Sequence, residues 1–492
     1  MPEQAPQPAL LSVPAAIGLV AGFAVFLLTL IAPPPGDLPV AGWRTLGLAA
    51  MMAIWWSTEP IPIGITALLP LIVVPLAGIM PIAKAAAPYA NPLVFLFMGG
   101  FLLASGVKRW GLHRRLAHSV VRTIGLEPRR LVLGFMVASG LLSMWISNTA
   151  AVVLMLPVAV SIITVMEENE GKGENVRRFA LSLLLGLAYG ASIGGVGTLI
   201  GTPPNALLAG YLFEQHGIDL SFAAWSAVAI PLVIVFMPIA WLVLTRVIYP
   251  VAGDFAAAMR TGGLIERLAV PGPMTAAERR VALVFVAAAS LWITRPLLNQ
   301  VPGLEALSDP AIAIFCGAIL FLIPAGITPQ RRFLMSWDDA AEIPWHVLIL
   351  FGGGLSLAAA MDASGLAKWI GSGLAGLGDL PMLGFLLVLT ATVVLLTELA
   401  SNTATVAALL PIVATIAAGT GIDLITISAV VAMAASCAFM LPVATPPNAL
   451  VFGTGHVTVA AMMRAGFVMN ILSVVLVALA ALALAPLLRT MH

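Results

Sequence analysis

The stretch TELASNTATVAALLP, Thr397 to Pro411, is the most informative part of the chain because its central triplet, Ser401-Asn402-Thr403, occurs twice. The first copy is Ser147-Asn148-Thr149, 254 residues earlier, and a proline follows each Asn after nine positions. Both triplets interrupt apolar sequence typical of membrane helices. A helix broken inside a bilayer frees backbone groups that lipid cannot satisfy, so such breaks persist only against protein or a wet cavity. Two such breaks predict a binding site.

The composition is that of a polytopic membrane protein. Hydrophobic residues make up 61% and charged residues 9% of the chain, against about 25% charged residues in soluble domains. The long apolar runs argue against a β-barrel, whose spans alternate in polarity over about ten residues. We therefore predict an all-α fold. Cys316 and Cys437 lie in apolar segments without a CxxC motif, so neither a disulfide framework nor a metal cluster is indicated.

The length of the apolar segments gives the number of spans, since about 20 apolar residues cross the hydrocarbon core. We predict about 11 transmembrane helices in addition to two re-entrant hairpins. The first span follows a segment without basic residues, so it is expected to be an uncleaved span rather than a signal peptide. A cation-rich stretch at 108–130 predicts an interfacial helix on the cytoplasmic face.

Charge predicts that the first triplet lies at the tip of a hairpin. The apolar unit 131–166 has basic residues on both sides. A single crossing would place one basic loop outside, against the positive-inside rule. A re-entrant hairpin removes the conflict, and the second triplet predicts a matching hairpin at 382–418.

A second pair of motifs, Thr-Pro-Pro-Asn at 202–205 and 445–448, lies 243 residues apart. Its prolines interrupt the helices that we predict at 179–214 and 424–454. With the first span outside the repeat, each repeat has five complete spans, and an odd number inverts the second repeat relative to the first. Most Lys and Arg residues and the N-terminus then lie on the cytoplasmic side. Inverted repeats with broken helices are typical of secondary transporters.

The hairpin tips have the chemistry of a sodium site. Helix breaks supply backbone carbonyls without formal charge, and Ser, Thr and Asn side chains supply further oxygens. Helical spacing places Ser143 one turn before Ser147 and Thr397 one turn before Ser401. Each hairpin is therefore expected to direct two side-chain oxygens toward one ion.

The same motifs also suit an anion. Backbone N–H groups at helix N-termini attract negative charge, and four half-helix starts are predicted to converge. No Arg, Lys or His accompanies these motifs, so co-bound cations must help to balance the anion. This predicts weak anion binding without sodium, and a ligand with two anionic ends.

With these motifs, the whole chain resembles the divalent anion/sodium symporter family, which includes dicarboxylate, citrate and sulfate carriers. The stretches 436–451 and 58–70 resemble its C-terminal and N-terminal signatures. The resemblance implies at least two sodium sites, one at Ser143, Ser147, Asn148 and Gly201 and one at Thr397, Ala400, Asn402 and Ala444. It implies substrate contacts from Ser147, Asn148, Thr149, Thr202, Ser401, Asn402, Thr403, Thr445 and Pro446.

The resemblance also implies an organisation and a setting, those of a homodimeric, multi-pass carrier of the bacterial inner membrane. It implies a fixed scaffold and an elevator-like movement of the domain that holds both hairpins. The corresponding parts are a scaffold at 1–120, a transport part at 121–249, a cytoplasmic linker at 250–280, a second scaffold part at 281–376 and a second transport part at 377–492.

Several alternatives stay open at this stage. A single Ser-Asn-Thr triplet is most often a helix N-cap, but two copies at a fixed offset favour a site. Glu398 is either a packing residue in a polar pocket or part of ion or proton coupling. Sodium-driven uptake of succinate, malate or fumarate is the favoured function; citrate or sulfate symport and dicarboxylate exchange are the alternatives. A channel or an intramembrane hydrolase is disfavoured, and no nucleic-acid partner is expected.

Overall fold

The computed structural model describes residues 12–112, 115, 119, 123, 127–251, 272–328, 331–373 and 381–490. About half of the predicted interfacial stretch, most of the predicted linker and residues 1–11 lie outside this part. The helices of the first half are Val13–Ile31, Val40–Thr58, Ile63–Thr66, Leu69–Leu76, Ile82–Ala86, the 3-10 helix Ala87–Ala90, Pro92–Arg109, Pro128–Ser143, Asn148–Glu170, Glu174–Gly195, Pro203–His216, Phe222–Leu242 and the π-helix Val243–Ile248. Those of the second half are Ala276–Leu298, Asp309–Ile319, Trp337–Ala341, Trp345–Ala363, Leu366–Gly373, Met382–Leu399, Asn402–Thr420, Leu424–Ala435, Pro446–Phe452 and Val459–Thr490.

The predicted helical membrane architecture is confirmed. Within the described ranges, 10 helical segments are long and apolar enough to cross a membrane, and three of them are hairpin arms. The other predicted spans correspond to Val40–Thr58 and to three shorter apolar segments, Ile63–Leu76, Asp309–Ile319 and Leu424–Ala435.

One element was not predicted, a small antiparallel β-hairpin of strands Pro324–Thr328 and Arg331–Phe333. The sequence predicts a span at 310–324, but the helix ends at Ile319. Two carbonyl groups near this end accept hydrogen bonds from the segment after the hairpin. The Leu334 N–H donates to the Ile323 carbonyl, and the Met335 N–H donates to the Leu320 carbonyl. The segment after the hairpin thus satisfies both carbonyl groups. A longer helix would leave the Leu320 carbonyl without a partner, because Pro324 has no N–H.

The apolar run at 63–80 also predicts a single span, but the structure divides it into two helices. It consists of the helices Ile63–Thr66 and Leu69–Leu76. Pro70 has no N–H to donate to the carbonyl of Thr66, so a continuous helix would lack a bond at this position.

Both predicted hairpins are present as pairs of helices joined by a short non-helical link. The first joins Pro128–Ser143 to Asn148–Glu170, and the second joins Met382–Leu399 to Asn402–Thr420. The Asn of each triplet is the first residue of the second arm. The triplets therefore stand where the sequence predicts them, at the tips.

Close backbone packing holds the first hairpin beside the first helix break. The helix Glu174–Gly195 is buried along almost its whole length and packs on the arm Pro128–Ser143. A Cβ atom added to Gly194 would lie 2.3 Å from the Cα atom of Gly140. Such contact between small residues is a common basis of helix association in membranes.

The two halves are interleaved around the tips. The short helix Pro446–Phe452 packs against the hairpin arm Asn148–Glu170 of the other half, and Pro203–His216 packs against Asn402–Thr420. Each Thr-Pro-Pro helix is therefore a neighbour of the triplet helix from the opposite repeat.

Candidate ion and substrate site

The first hairpin tip is closed by a side-chain hydrogen bond between two predicted sodium ligands. The buried Ser143 hydroxyl donates to Oδ1 of Asn148 at 2.5 Å. Gly195 lies against this pair, since an added Cβ atom would be 2.4 Å from Asn148 Oδ1. An added Cβ atom on Gly201 would be 2.9 Å from the backbone oxygen of Ser143 and 2.4 Å from that of Gly195. Hydroxyl, amide and carbonyl oxygens of the break and the tip are thus gathered in one place.

Ser147 makes a different contact from Ser143, and the prediction that both direct an oxygen toward one ion stays a prediction. The first arm ends at Ser143, and the spacing of a continuous helix does not extend across the link. The Ser147 hydroxyl instead caps the second arm by accepting a hydrogen bond from the Ala150 N–H at 3.3 Å. The oxygen that meets Ser143 belongs to Asn148.

The second tip repeats this arrangement. The buried Thr397 hydroxyl lies 2.7 Å from Asn402 Oδ1 and 2.8 Å from the backbone oxygen of Ala435, where the helix before the second break ends. Thr397 and Asn402 correspond to Ser143 and Asn148 at the same offset of 254 residues. The pairing of a hydroxyl with the triplet Asn is therefore a shared feature of both repeats.

The two remaining predicted ligands of the second sodium site are backbone positions. Ala400 is the extended residue that ends the first arm, and its N–H donates to the carbonyl of Leu396. Ala444 is buried and directly precedes Thr445, the N-cap of the short helix Pro446–Phe452. Both lie where a helix is interrupted, and carbonyl groups at such positions have no helical hydrogen-bond partner.

Predicted substrate residues from both repeats share a cavity. Thr149 and Pro446 line a cavity of about 500 Å³ together with Ala449 and Thr454. Ser147 lines a different cavity, of about 240 Å³, on the side of Lys108 and Glu342. The other predicted contacts are Thr202, Thr403 and Thr445, which are buried, and Asn148, Ser401 and Asn402, which are partly exposed.

The sequence-based prediction missed the Asn of each Thr-Pro-Pro-Asn motif. Asn205 and Asn448 are fully buried, and each donates through Nδ2 to carbonyl oxygens of its own helix break. Their repetition at an offset of 243 residues is visible in the sequence, and it is the same signal that identifies the neighbouring threonines.

Glu398 is a buried carboxylate that accepts hydrogen bonds from the second break. Its Oε1 atom accepts from the N–H groups of Phe439 at 2.7 Å and Met440 at 2.8 Å, and its Oε2 atom accepts from that of Leu441 at 3.1 Å. The side chain of Asn470 donates to Oε1 at 2.8 Å. These contacts match the packing interpretation of Glu398, since they satisfy N–H groups that the break leaves without helical partners.

The site is built from neutral oxygens. Among the residues that the structure describes, no group of three or more His, Cys, Asp and Glu side chains could hold a metal ion. Carbonyl, amide and hydroxyl oxygens are the ligand types that hard cations prefer. The tips therefore suit an alkali cation better than a transition metal.

A comparison with protein families finds a match to the sodium:sulfate symporter transmembrane region over residues 15–491. The chain belongs to this family. The sodium:sulfate symporter family is one of membrane carriers, which agrees with the broken helices around the two tips. The resemblance drawn from the motifs is confirmed.

Curated relatives within the family are close. The sodium-dependent dicarboxylate transporter SdcS of Staphylococcus aureus strain USA300 is 42% identical over 468 residues, which cover 94% of this symporter and 90% of SdcS. SdcS of strain NCTC 8325 has the same identity and coverage. Such identity over nearly the whole length covers both repeats.

Two solved structures share the fold at low sequence identity. The YdaH transporter of Alcanivorax borkumensis matches with a TM-score of 0.57 and 16% identity, covering 98% of this symporter and 99% of YdaH. MtrF of Neisseria gonorrhoeae, described with a class of antimetabolite efflux pumps, matches with a TM-score of 0.57 and 14% identity, covering 96% and 94%. These likenesses concern the fold alone.

Proposed function

We propose that this symporter couples sodium entry to uptake of a C4-dicarboxylate such as succinate, malate or fumarate. The observation that carries the proposal is the repeated pairing of a hydroxyl with the triplet Asn, Ser143 with Asn148 and Thr397 with Asn402. Each pair lies at the start of a half-helix and beside a helix break. The 42% identity to SdcS, a sodium-dependent dicarboxylate transporter, supports the choice of substrate.

Coupling follows from the charges in the site. The N-termini of the four half-helices and the neutral donors attract an anion only through partial charges. Sodium ions at the two tips add full positive charges next to the substrate carboxylates. Each ligand then raises the affinity of the other, because coupling between two binding sites is reciprocal.

The ligand residues form part of this proposal. One sodium ion would be held by Ser143, Ser147, Asn148 and Gly201. The second would be held by Thr397, Ala400, Asn402 and Ala444, so at least two ions accompany one dianion. The substrate would bind between the repeats, along Thr149 and Pro446, which line one cavity.

The proposal extends to movement and assembly. Residues 121–249 and 377–492 would move together as the transport part against a scaffold of 1–120 and 281–376, in a homodimer within the bacterial inner membrane. The N-terminus would be cytoplasmic. The interleaved contact of each Thr-Pro-Pro helix with the opposite hairpin supports movement of both hairpins as one unit.

Uptake into proteoliposomes tests the function. We expect radiolabelled succinate to accumulate when sodium is present outside and absent inside, and to enter at least about tenfold more slowly in choline, given coupling of typical allosteric strength. Unlabelled malate and fumarate should compete. Equal rates with and without a sodium gradient would contradict sodium coupling, and competition by sulfate or citrate alone would contradict the dicarboxylate assignment.

Thr202 and Thr445 provide a residue test of the substrate site. Changing either to Ala should raise the half-saturating succinate concentration by about 10- to 100-fold, the effect of losing one hydrogen bond to a charged group. The maximal rate at saturating substrate should change less. Thr164→Ala is the matched control, since its exposed hydroxyl bonds to the Val160 carbonyl within its own helix. Wild-type succinate dependence in both site variants would remove these threonines from the site.

A further inference from the structure

Asn205 and Asn448 make the same contacts in the two repeats, although neither belongs to a hairpin. Both side chains are fully buried. Asn205 Nδ2 lies 3.3 Å from the backbone oxygen of Gly195 and 2.8 Å from that of Thr198. Asn448 Nδ2 lies 3.2 Å from that of Ala438 and 3.0 Å from that of Leu441.

The acceptors also correspond between repeats. Gly195 and Ala438 are 243 residues apart, as are Thr198 and Leu441, and this is the offset of the two Thr-Pro-Pro-Asn motifs. Asn205 additionally donates to the backbone oxygen of Val196 at 3.1 Å. The same donor therefore holds the same two carbonyl positions of each break, which indicates a role that both repeats share.

Within the described part of the chain, both side chains make their hydrogen bonds through the amide nitrogen Nδ2. Neither Asn205 Oδ1 nor Asn448 Oδ1 accepts a hydrogen bond there. The amide nitrogen of each Asn is thus what fixes the break, and its loss would leave carbonyl groups free to turn.

The carbonyl held by Asn205 lies beside the first hairpin tip. Gly195 contacts both Asn148 Oδ1 and Gly201, as judged from the short distances to an added Cβ atom. The second break is held from two directions, since the Leu441 carbonyl bonds to Asn448 while the Leu441 N–H bonds to Glu398. The position equivalent to Glu398 in the first repeat is Met144, which has no such acceptor side chain.

We propose that Asn205 and Asn448 are positioning residues for sodium, each holding the carbonyl groups of one helix break so that the adjacent hairpin tip keeps its ion-binding geometry. The inference rests on the proposed sodium-coupled function. Asn205 donates to three carbonyl oxygens of its break and Asn448 to two, so loss of Asn205 should weaken sodium binding more than loss of Asn448.

The test uses Asn205→Leu and Asn448→Leu, which keep the approximate size of the side chain and remove its donor. Sodium dependence of succinate uptake is measured in proteoliposomes at saturating succinate, and succinate dependence at saturating sodium. We expect the half-saturating sodium concentration to rise about tenfold for Asn205→Leu, as for outer residues that orient metal ligands, and less for Asn448→Leu. The half-saturating succinate concentration at saturating sodium should change less than twofold in both variants.

Asn299→Leu is the matched control. Asn299 Nδ2 also donates to three backbone oxygens, those of Leu304, Glu305 and Leu307, in an exposed loop away from both breaks. This variant should keep wild-type sodium dependence. Asn205→Gln and Asn448→Gln retain the donor but displace it, and they replace the Leu variants should those fail to give monodisperse protein.

Each outcome has one meaning. Sodium-independent uptake by the wild-type protein would contradict the proposed function itself. Sodium-dependent wild-type uptake with unchanged sodium dependence in the Leu variants, or in the Gln variants that replace them, would overturn the positioning role alone. Equal loss in the Asn299 control would also overturn it, because the effect would then reflect general stability.

Discussion

Asn402→Ala is expected to abolish sodium-driven dicarboxylate uptake while leaving the protein folded. In the proposed mechanism Asn402 contributes an oxygen to the second sodium ion and stands at the half-helix start that faces the substrate. Loss of a group that serves both ligands should cost at least as much as loss of a residue that only orients a metal ligand, about 10- to 100-fold in affinity. The measurement is initial succinate uptake into proteoliposomes across a range of sodium and succinate concentrations.

The hydrogen bonds of the second tip make this variant informative. Thr397 loses its contact with Asn402 but keeps an acceptor in the backbone oxygen of Ala435, 2.8 Å away. The tip therefore retains a link to the second helix break. Asn169→Ala is the matched control, since the Asn169 side chain bonds to Val165 at the far end of the first hairpin. Near-wild-type uptake by Asn402→Ala would contradict the shared role of Asn402.

Replacement of Glu398 is expected to have the largest effect on stability. Glu398→Met introduces the residue that the first repeat has at the equivalent position, and it removes the acceptor for three backbone N–H groups. A buried donor left without a partner costs about 1–3 kcal/mol, so the total loss in the free energy of unfolding should be about 3 kcal/mol or more. Glu398→Gln keeps one acceptor oxygen and should lose less.

Thermal inactivation in detergent measures this loss. The apparent melting temperature should be highest for the wild type, lower for Glu398→Gln and lowest for Glu398→Met. The three proteins are compared at one heating rate, because such unfolding is commonly irreversible. Glu168→Gln, at an exposed position near the end of a hairpin arm, should have the wild-type value. A Glu398→Met variant as stable as wild type would show that the carboxylate does not support the break.

Much of the fold could be predicted because it depends on patterns that are local in the sequence. The length of the apolar runs predicted the spans, and charge on both sides of 131–166 predicted the first hairpin. The paired motifs predicted the repeat and the tips. These features arise from the bilayer, which imposes the same requirement on every residue that crosses it.

The details of the site depend on tertiary contacts that no local pattern records. Helical spacing predicted that Ser143 and Ser147 direct oxygens toward one ion, and it could not show that the first arm ends at Ser143 or that the Ser143 hydroxyl bonds to Asn148. The role of Glu398 stayed open because its backbone partners lie more than 40 residues away along the chain. The β-hairpin at 324–333 was missed because its neighbours are apolar and resemble a continuing span.

The central claim is that sodium makes the neutral site able to hold a dianion, and direct binding tests it most simply. Succinate is titrated calorimetrically into the purified protein in sodium and, separately, in choline at equal ionic strength. We predict at least about tenfold tighter binding in sodium, within the usual range of coupling between two sites. Equal succinate affinity in the two salts would contradict the claim.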